Sequence, residues 1–586
     1  MFEIFQKLAW FFRLRWKTTL LAISGLVACA ILSATIPLLV GRVIDQMTQG
    51  TLTPSLLTQE VLLLLGIGIL MYALRNMWRT LLFGNSTRLE YLLRKQLFNH
   101  FTKMDQAFYN NHRTGDLMAH ATNDLAAIRF VAGGGILTLT DSLSITLATL
   151  FSMFVLIDWK LSLYTILPFP FLVLIARYLG KQINRTFKGA LESFSKMNDH
   201  VQESIAGINV IKAFGEEADD YQDFVATTEN VVKKNERVYR IDAAYGPAID
   251  FVTGLTYVLT IFFGSYFVKE GRISLGQLIA YFSYLTNMTW PLIAVGHMVN
   301  TLERGNVSYD RITNLLSNKA LVVNDPNPVT GLNYQDLKVN IQSFTYPEAE
   351  EATLKDIHFH LEDGDTLGLV GKTGSGKSTL FSLLVRNFDI DQGSIQIDGI
   401  DLARIDVTEL NEHVGYISQD NLLFSTTVRD NIRFGNPHMS QDEVEYFAKL
   451  ANVHEDILTF DQGYDTLVGE RGVSLSGGQK QRVSIARTLA MNPKILIMDD
   501  ALSAVDAKTE QTILANLKDH RRSGITLIGT HRLSSVIQAK ETLVLQEGRV
   551  IERGNHEELL AQNGWYQNMF QQQELEQSLE GDEAND

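Results

Sequence analysis

Three stretches of the chain carry residues that could handle a phosphoryl group. In "LGLVGKTGSGKSTL" an apolar strand precedes Gly371, Lys372, Thr373, Gly374, Ser375, Gly376, Lys377, Ser378 and Thr379, and an apolar helix follows them. Glycines at this spacing let backbone N–H groups close around phosphates, and the helix start adds the positive end of its dipole. Lys377 would supply a point charge to the β- and γ-phosphates and Ser378 a hydroxyl ligand to magnesium. In "KILIMDDALSAVD" a buried apolar run ends in Asp499 and Asp500. A rigid strand there holds the Asp499 carboxylate at the sheet edge where open α/β sheets bind ligands, which is a magnesium position. In "VSLSGGQKQR", Leu475, Ser476, Gly477, Gly478 and Gln479 open a helix whose N–H groups could face another anion, although spacing alone makes this only a loop.

These loops need elements to hold them, and composition says the chain has two unlike halves. Its 586 residues are too many for one ordinary domain, and 46% hydrophobic content with a net charge of −15 reads as an average over both. The single cysteine, Cys29, excludes an intrachain disulfide and a cysteine-based metal site. From Thr18 to Gly41 the chain is apolar for long enough to cross a bilayer as a helix, which takes roughly 20 residues. Similar candidates begin near Val61, Ile136, Leu161, Phe251 and Ser274, giving six spans. Arg75 and Arg79 follow the second apolar run, and Pro168 and Pro170 interrupt the fourth. Kinks are tolerated in a membrane where neighbouring helices satisfy the freed carbonyls.

The N-terminal "MFEIFQKLAWFFRLRWK" sets apolar residues among Lys7, Arg13, Arg15 and Lys17, which suits a helix lying in the membrane interface rather than a cleavable signal. Its positive charge argues for a cytoplasmic N-terminus, and six crossings then put the C-terminal half on the same side. The connections after the second and fourth spans, about 85–132 and 177–245, are long and charged. As helical hairpins with arms of about 20 residues they would reach roughly 30 Å into the cytoplasm. Turn signals stand at Thr114–Gly115 and at Gly207. The acidic end "LEGDEAND" reads as a solvated tail.

The motif "LSGGQ", in order behind the phosphate loop and ahead of the aspartate pair, resembles the signature of ATP-binding cassette (ABC) proteins. Six spans fused ahead of one cassette resemble an ABC half-transporter of the exporter type. The resemblance covers nearly the whole chain. It implies a multidomain membrane protein: a six-helix exporter-type transmembrane domain followed by an α/β P-loop nucleotide-binding domain. The boundaries drawn are an interfacial elbow helix at 1–17, a transmembrane domain at 18–318, a linker at 319–336, the cassette at 337–572 and an acidic tail at 573–586. It also implies ATP and Mg2+ as cofactors. Tyr346 occupies the position whose ring stacks on adenine, Gln419 that of a glutamine that senses magnesium and meets the membrane domain, and His531 that of a switch histidine near the γ-phosphate. Ser503–Asp506 resemble the loop that crosses the dimer contact, "GERG" at 469–472 resembles a segment that touches the membrane domain, and the cytoplasmic arms look like coupling helices.

In this family two cassettes sandwich two ATP molecules, each between one chain's phosphate loop and the other's signature, so a second half-transporter is implied. One departure stands out. In members with full activity the residue after the magnesium aspartate is a glutamate that positions or deprotonates the attacking water, and here it is Asp500. Losing a methylene withdraws the carboxylate by about an ångström, a displacement that can cost roughly a hundredfold. The signature is intact. Together these resemble the degenerate-site chain of bacterial heterodimeric multidrug exporters, with the partner carrying the glutamate, in a bacterial inner or cytoplasmic membrane. The alternatives are a homodimeric lipid or drug exporter in which Asp500 is the base, and an ATP-gated channel or receptor. So acidic a chain, without a basic patch, disfavours nucleic acid. Asp141, ionisable and inside the third span, is a candidate counter-ion for an amphipathic cationic substrate. Met71, Met153 and Met288 would suit an adaptable cavity.

Overall fold

The computed structural model describes residues 3–469 and 475–583, with the side chains of 172, 173, 176, 177, 184, 292, 293, 295–297 and 577–583 outside the description. The chain divides into two compact units, Met1–Thr102 with Thr114–Asn318, and Lys103–Arg113 with Lys319–Asp586.

The first unit is helical. Four of its described helices are long and apolar enough to cross a membrane: Trp16–Thr48, Pro54–Phe101, Thr114–Ile157 and Glu217–Lys269. The sequence places its fourth and sixth spans on Trp159–Ile166 with Phe169–Ala206, and on Leu275–Ser317. Their outer surface is apolar, with Leu62, Ile69, Val258 and Phe262 each more than half exposed, as a lipid-facing surface requires. The fourth span breaks at Pro168, because a proline cannot extend the preceding helix and suits the start of the next. Met153 and Met288 are buried in a packed cluster with Tyr281 and Tyr284, so they fill core rather than line a cavity. Asp141 is half-buried in the helix Ile136–Phe151.

Three expectations need correction. The N-terminal segment is two short helices, Glu3–Lys7 and Ala9–Leu14, and the first span begins at Trp16. Thr114 and Gly115 mark no tip; they open a return helix, and the tip is the short helix Gln106–Asn111. The reason is Asp105, whose carboxylate caps that helix by accepting the Phe108 N–H at 3.1 Å, a stronger local signal than the threonine–glycine pair. Finally, the last helix runs Trp565–Glu583, so the boundary drawn after 572 falls inside it. Its glutamines are good helix formers and carry the helix into the stretch read as a tail. The second tip behaves as its glycine suggests: Phe169–Ala206 ends at Gly207, and a further helix, Ile208–Phe214, stops at Gly215 with a left-handed φ of 72°. The helix Pro54–Phe101 has 48 residues. At 1.5 Å per residue it is about 72 Å long, more than twice the roughly 30 Å of a bilayer core, so its arm projects far beyond the membrane.

In the second unit the described strands form two sheets. The strands are β1 (Asp336–Phe344), β2 (Leu354–Glu362), β3 (Thr366–Gly371), β4 (Gln392–Ile397), β5 (Ile400–Asp401), β6 (Val414–Ile417), β7 (Ile495–Asp499), β8 (Ile525–Thr530), β9 (Glu541–Gln546) and β10 (Arg549–Gly554). An antiparallel sheet runs β2-β1-β4-β5 and a larger one β10-β9-β3-β8-β7-β6, with β3, β6, β7, β8 and β9 parallel. Every residue of β7 is buried. Leu496 and Met498 enter one hydrophobic cluster and Ile495 and Ile497 the other, so the strand is covered on both faces and reads as a continuous apolar run.

The linker is laced to this unit. Asp398 accepts the N–H groups of Asn333, Tyr334, Gln335 and Asp336, Glu409 those of Gly331 and Leu332, and the buried Arg386 donates to the Val323 carbonyl. The tip segment Lys103–Arg113 joins in, because Asp105 also accepts the N–H of Leu321 and, at 3.1 Å, of Val322. Replacing Asp105 with alanine removes a helix cap and unpairs two linker N–H groups, for about 1–2 kcal/mol. Amide exchange at Leu321 and Val322 should quicken selectively, while Asp105→Asn, which keeps an acceptor oxygen, should lose less.

Candidate functional site

The parallel register brings three loops to one edge of the large sheet. Val370 of β3 pairs with Thr530 of β8, and Gly529 of β8 with Asp499 of β7. The phosphate loop, the aspartate pair and His531 therefore leave neighbouring strands at their carboxyl ends, where open α/β sheets bind ligands.

Backbone space explains the glycines. At Gly371, with φ 149°, a Cβ would stand 2.2 Å from the Leu545 carbonyl oxygen, and at Gly376, with φ 107°, one would stand 2.6 Å from Leu354 Cδ2. The helix Lys377–Leu384 starts directly after Gly376. Lys377 is buried, and its Nζ donates to the carbonyls of Gly371 at 2.9 Å and Lys372 at 3.3 Å. It lies 3.4 Å from His531 Nε2. Burial lowers its pKa, opposed by the charges of Asp499 and Asp500. A cation held this way is short of solvation, which is the state in which a polyphosphate attracts it most.

Asp499 is 3% exposed. Burial pushes its carboxyl up, while hydrogen bonds from Ser378 and Tyr416 and the Lys377 charge pull it back. The Tyr416 hydroxyl donates to Oδ2 at 3.2 Å. Burial, with Asp499 beside it, raises the Tyr416 pKa well above its ordinary value, so it remains a donor. The Ser378 hydroxyl beside the Asp499 carboxylate is the oxygen donor set that Mg2+ takes when phosphates supply the remaining ligands, so these residues fit the ion. Gln419, the third expected ligand, is exposed past the end of β6, and among the described residues its side-chain amide has no partner.

Asp500 takes a left-handed φ of 49°. Aspartate enters that region with less strain than most residues because its short side chain crowds the backbone less. Its backbone is anchored on several sides: the N–H donates to the Gly529 carbonyl at 2.8 Å, and the carbonyl accepts from Gln481 Nε2 at 3.3 Å and Ser503 Oγ at 2.9 Å. With the backbone held, side-chain length decides how far the carboxylate reaches. His531 follows β8, and burial with the Lys377 charge lowers its pKa, so the imidazole is neutral at neutral pH. Tyr346 packs edge-to-face with Phe344 and with Phe388, ring centroids 5.1 Å apart in each case, and its hydroxyl donates to Thr379 Oγ1 at 3.1 Å, beside the phosphate loop.

Ser476 caps the helix Gly477–Leu489 by accepting the Gln479 N–H at 3.2 Å, while Gln479 Oε1 accepts the Ser476 N–H at 3.1 Å. This reciprocal box fixes the signature's start. Leu475 is buried beneath it. Of the "GERG" segment, residues 470–472 lie outside the described residues.

Several positioning residues escape sequence reading. Gln481 accepts the Ala504 N–H at 2.9 Å as well as donating to the Asp500 carbonyl, so one helix side chain ties the signature helix to the loop after β7. Arg532 donates to the carbonyls of Val505 at 2.8 Å and Ser503 at 3.2 Å and pairs with the buried Glu510 at 2.9 Å. Tyr416 is the fourth. Only the tyrosine, in a strand followed by Gln419, had a local signal; the others contact residues 19 to 29 positions away.

A desolvated Lys377 charge costs the fold something that a similarly shaped apolar side chain would not, while its two hydrogen bonds offset part of that cost. Lys377→Met should leave the nucleotide-free melting temperature within about 3 °C of wild type. The rise in melting temperature on adding ATP should vanish, and differential scanning fluorimetry with and without the nucleotide reads both.

The comparisons agree with this geometry. Residues 19–292 match the family described as ABC transporter transmembrane region, and residues 354–503 match ABC transporter. The chain is 43% identical over 578 residues to the multidrug resistance-like ATP-binding protein MdlA of Escherichia coli, covering 99% of this chain and 98% of the relative. It is 39% identical to the probable multidrug resistance ABC transporter ATP-binding/permease protein YheI of Bacillus subtilis, covering 99% of each. Its fold matches the structure of a bacterial Atm1-family ABC exporter with ATP bound at a TM-score of 0.76 and 26% identity, over 95% of this chain and 98% of that one. With a transmembrane region, an ATPase cassette and full-length relatives all in agreement, the chain belongs to the ABC transporter family, as an exporter-type chain that couples ATP hydrolysis to transport across a membrane.

Proposed function

We propose that this chain is one half of a heterodimeric multidrug-type exporter that moves amphipathic or hydrophobic compounds out of a bacterial cell. In this reading its own ATP site is retained but weak, and its signature completes the competent site of a partner carrying the glutamate. The observation that carries the reading is Asp500: a carboxylate one methylene short, on a backbone anchored to Gly529, Gln481 and Ser503, cannot advance by a backbone shift without breaking those bonds. The Ser476 capping box, by contrast, is complete.

In the site itself, Lys377 and the phosphate-loop N–H groups bind the phosphates, and Tyr346 takes the adenine. Ser378, Asp499 and Gln419 would hold Mg2+, which would supply charge neutralisation to the phosphates. His531, neutral, holds the γ-phosphate end, and Asp500 orients water at a distance too long for efficient proton removal. The exposed apolar tip supports a two-chain assembly: Val210 is 61% and Phe214 77% exposed on the helix Ile208–Phe214, a surface that suits a partner's cassette. With both cassettes on the cytoplasmic side, the tips of the long arms couple them to the spans. Asp141 remains the candidate contact for a cationic substrate.

Two substitutions separate this reading from a homodimer. Purified in lipid with its partner, Asp500→Asn should keep ATP turnover within about twofold, because the site it alters contributes little. Ser476→Arg should cut turnover about a hundredfold, because it displaces donors aimed at the partner's γ-phosphate. Robust turnover by this chain alone, abolished by Asp500→Asn, would make Asp500 the base of a homodimer. Absence of ATP-dependent dye uptake into inverted vesicles with the partner present would remove the multidrug assignment.

A further inference from the structure

Gln573, in the last helix, brackets the switch histidine's backbone from behind. Its side-chain amide donates through Nε2 to the His531 carbonyl at 2.7 Å and accepts through Oε1 the Leu533 N–H at 2.9 Å. One planar group thus spans the peptide units on both sides of Arg532. The buried Glu510 holds side chains of the same segment, Arg532 at 2.9 Å and Ser534 at 3.2 Å, and also accepts the Ser535 hydroxyl. The His531 ring reaches Lys377, its Nε2 3.4 Å from Nζ. Tyr566, fully buried, and the half-buried Trp565, Met569 and Phe570 pack the last helix against the hydrophobic cluster that includes Leu533 and Val536, so the amide is presented from a fixed surface. Its neighbour Gln572 is exposed and, among the described residues, its side chain bonds only to Glu576 within the helix, at 3.0 Å.

We propose that Gln573 is a positioning residue for the switch histidine, setting the distance of the His531 imidazole from the phosphate loop and so linking the chain's last helix to the fate of bound ATP. Two hydrogen bonds to the peptide groups directly flanking Arg532 pin the backbone of that segment. Without them the imidazole keeps its chemistry and loses its place, and displacements of about an ångström there carry large rate effects. The inference rests on the assignment of His531 to the γ-phosphate end of the site.

The test uses the full chain in lipid with its partner and compares His531→Ala, Gln573→Leu, Gln573→Glu and Gln572→Ala. Photolabelling with 8-azido-ATP resolves this chain from its partner and gives both the half-saturating concentration and, after a chase, the rate at which nucleotide is lost. Gln573→Leu should leave half-saturation within about twofold of wild type and shift the loss rate about tenfold in the same direction as His531→Ala. Amide exchange of residues 531–535 should quicken about tenfold without change in β7. Gln573→Glu, whose carboxylate opposes the His531 carbonyl, should behave alike and stands in should the leucine variant not fold; Gln572→Ala should match wild type. If His531→Ala shifts the loss rate while neither Gln573 variant does, the positioning role is wrong. Weakened half-saturation with faster exchange throughout the cassette would likewise overturn it, since Gln573 would then be ordinary packing. A silent His531→Ala would instead remove the assignment of His531, and the positioning role with it.

Discussion

The parallel pairing of β3, β8 and β7 is the constraint on which the cassette depends. A slip of one residue would turn every side chain of a strand to the opposite face, and these strands are covered on both faces by different clusters, so neither face tolerates it. With register held, Gly371, Asp499 and Thr530 end at the same edge. The chemistry of the site is then a matter of what leaves each strand: a glycine loop, two carboxylates and an imidazole.

What leaves the strands is held by polar side chains as well as by packing, with Leu502, Val505 and Leu533 buried in the core. Gln481, Arg532 and Gln573 bond to main-chain groups of the loops around residues 500–505 and 531–535, and Glu510 holds the side chains of Arg532, Ser534 and Ser535. Such loops must hold a geometry yet release it when nucleotide leaves, and hydrogen bonds to backbone offer defined positions at modest net cost to break. The arm tips follow a related logic. Asp105 caps the tip helix and grips linker N–H groups with the same carboxylate, so tip and linker share one anchor.

The membrane half obeys a different solvent. Its helices satisfy their own backbone and present leucine, valine and phenylalanine outward, and several of the polar groups they retain find partners inside, as Tyr284 does with the Ala34 carbonyl and Tyr281 with Thr165. At Asp158 a carboxylate caps a helix and pairs with Arg272 at 3.2 Å, keeping both charges at the end of the bundle rather than within it.

Much of this was legible from the chain alone. Apolar runs of membrane length, the phosphate loop with its strand and helix, the aspartate pair and the signature are local patterns, because the physics behind each acts over a few neighbouring residues: helix length against bilayer thickness, glycine freedom near phosphate, capping of a helix start. The break at Pro168 and the stop at Gly207 were local for the same reason. What only the tertiary structure decided lay in contacts distant along the chain. That the carboxylate capping the first tip also anchors Leu321 and Val322 depends on the linker meeting that tip in the fold. That the start of the last helix packs on the cluster containing Leu533 and Val536, and that Gln573 holds His531 from 42 residues away, depends on segments distant along the chain meeting in the fold. A glutamine among four in "MFQQQELEQ" has no pattern of its own; its neighbours in space, not in sequence, make it a clamp.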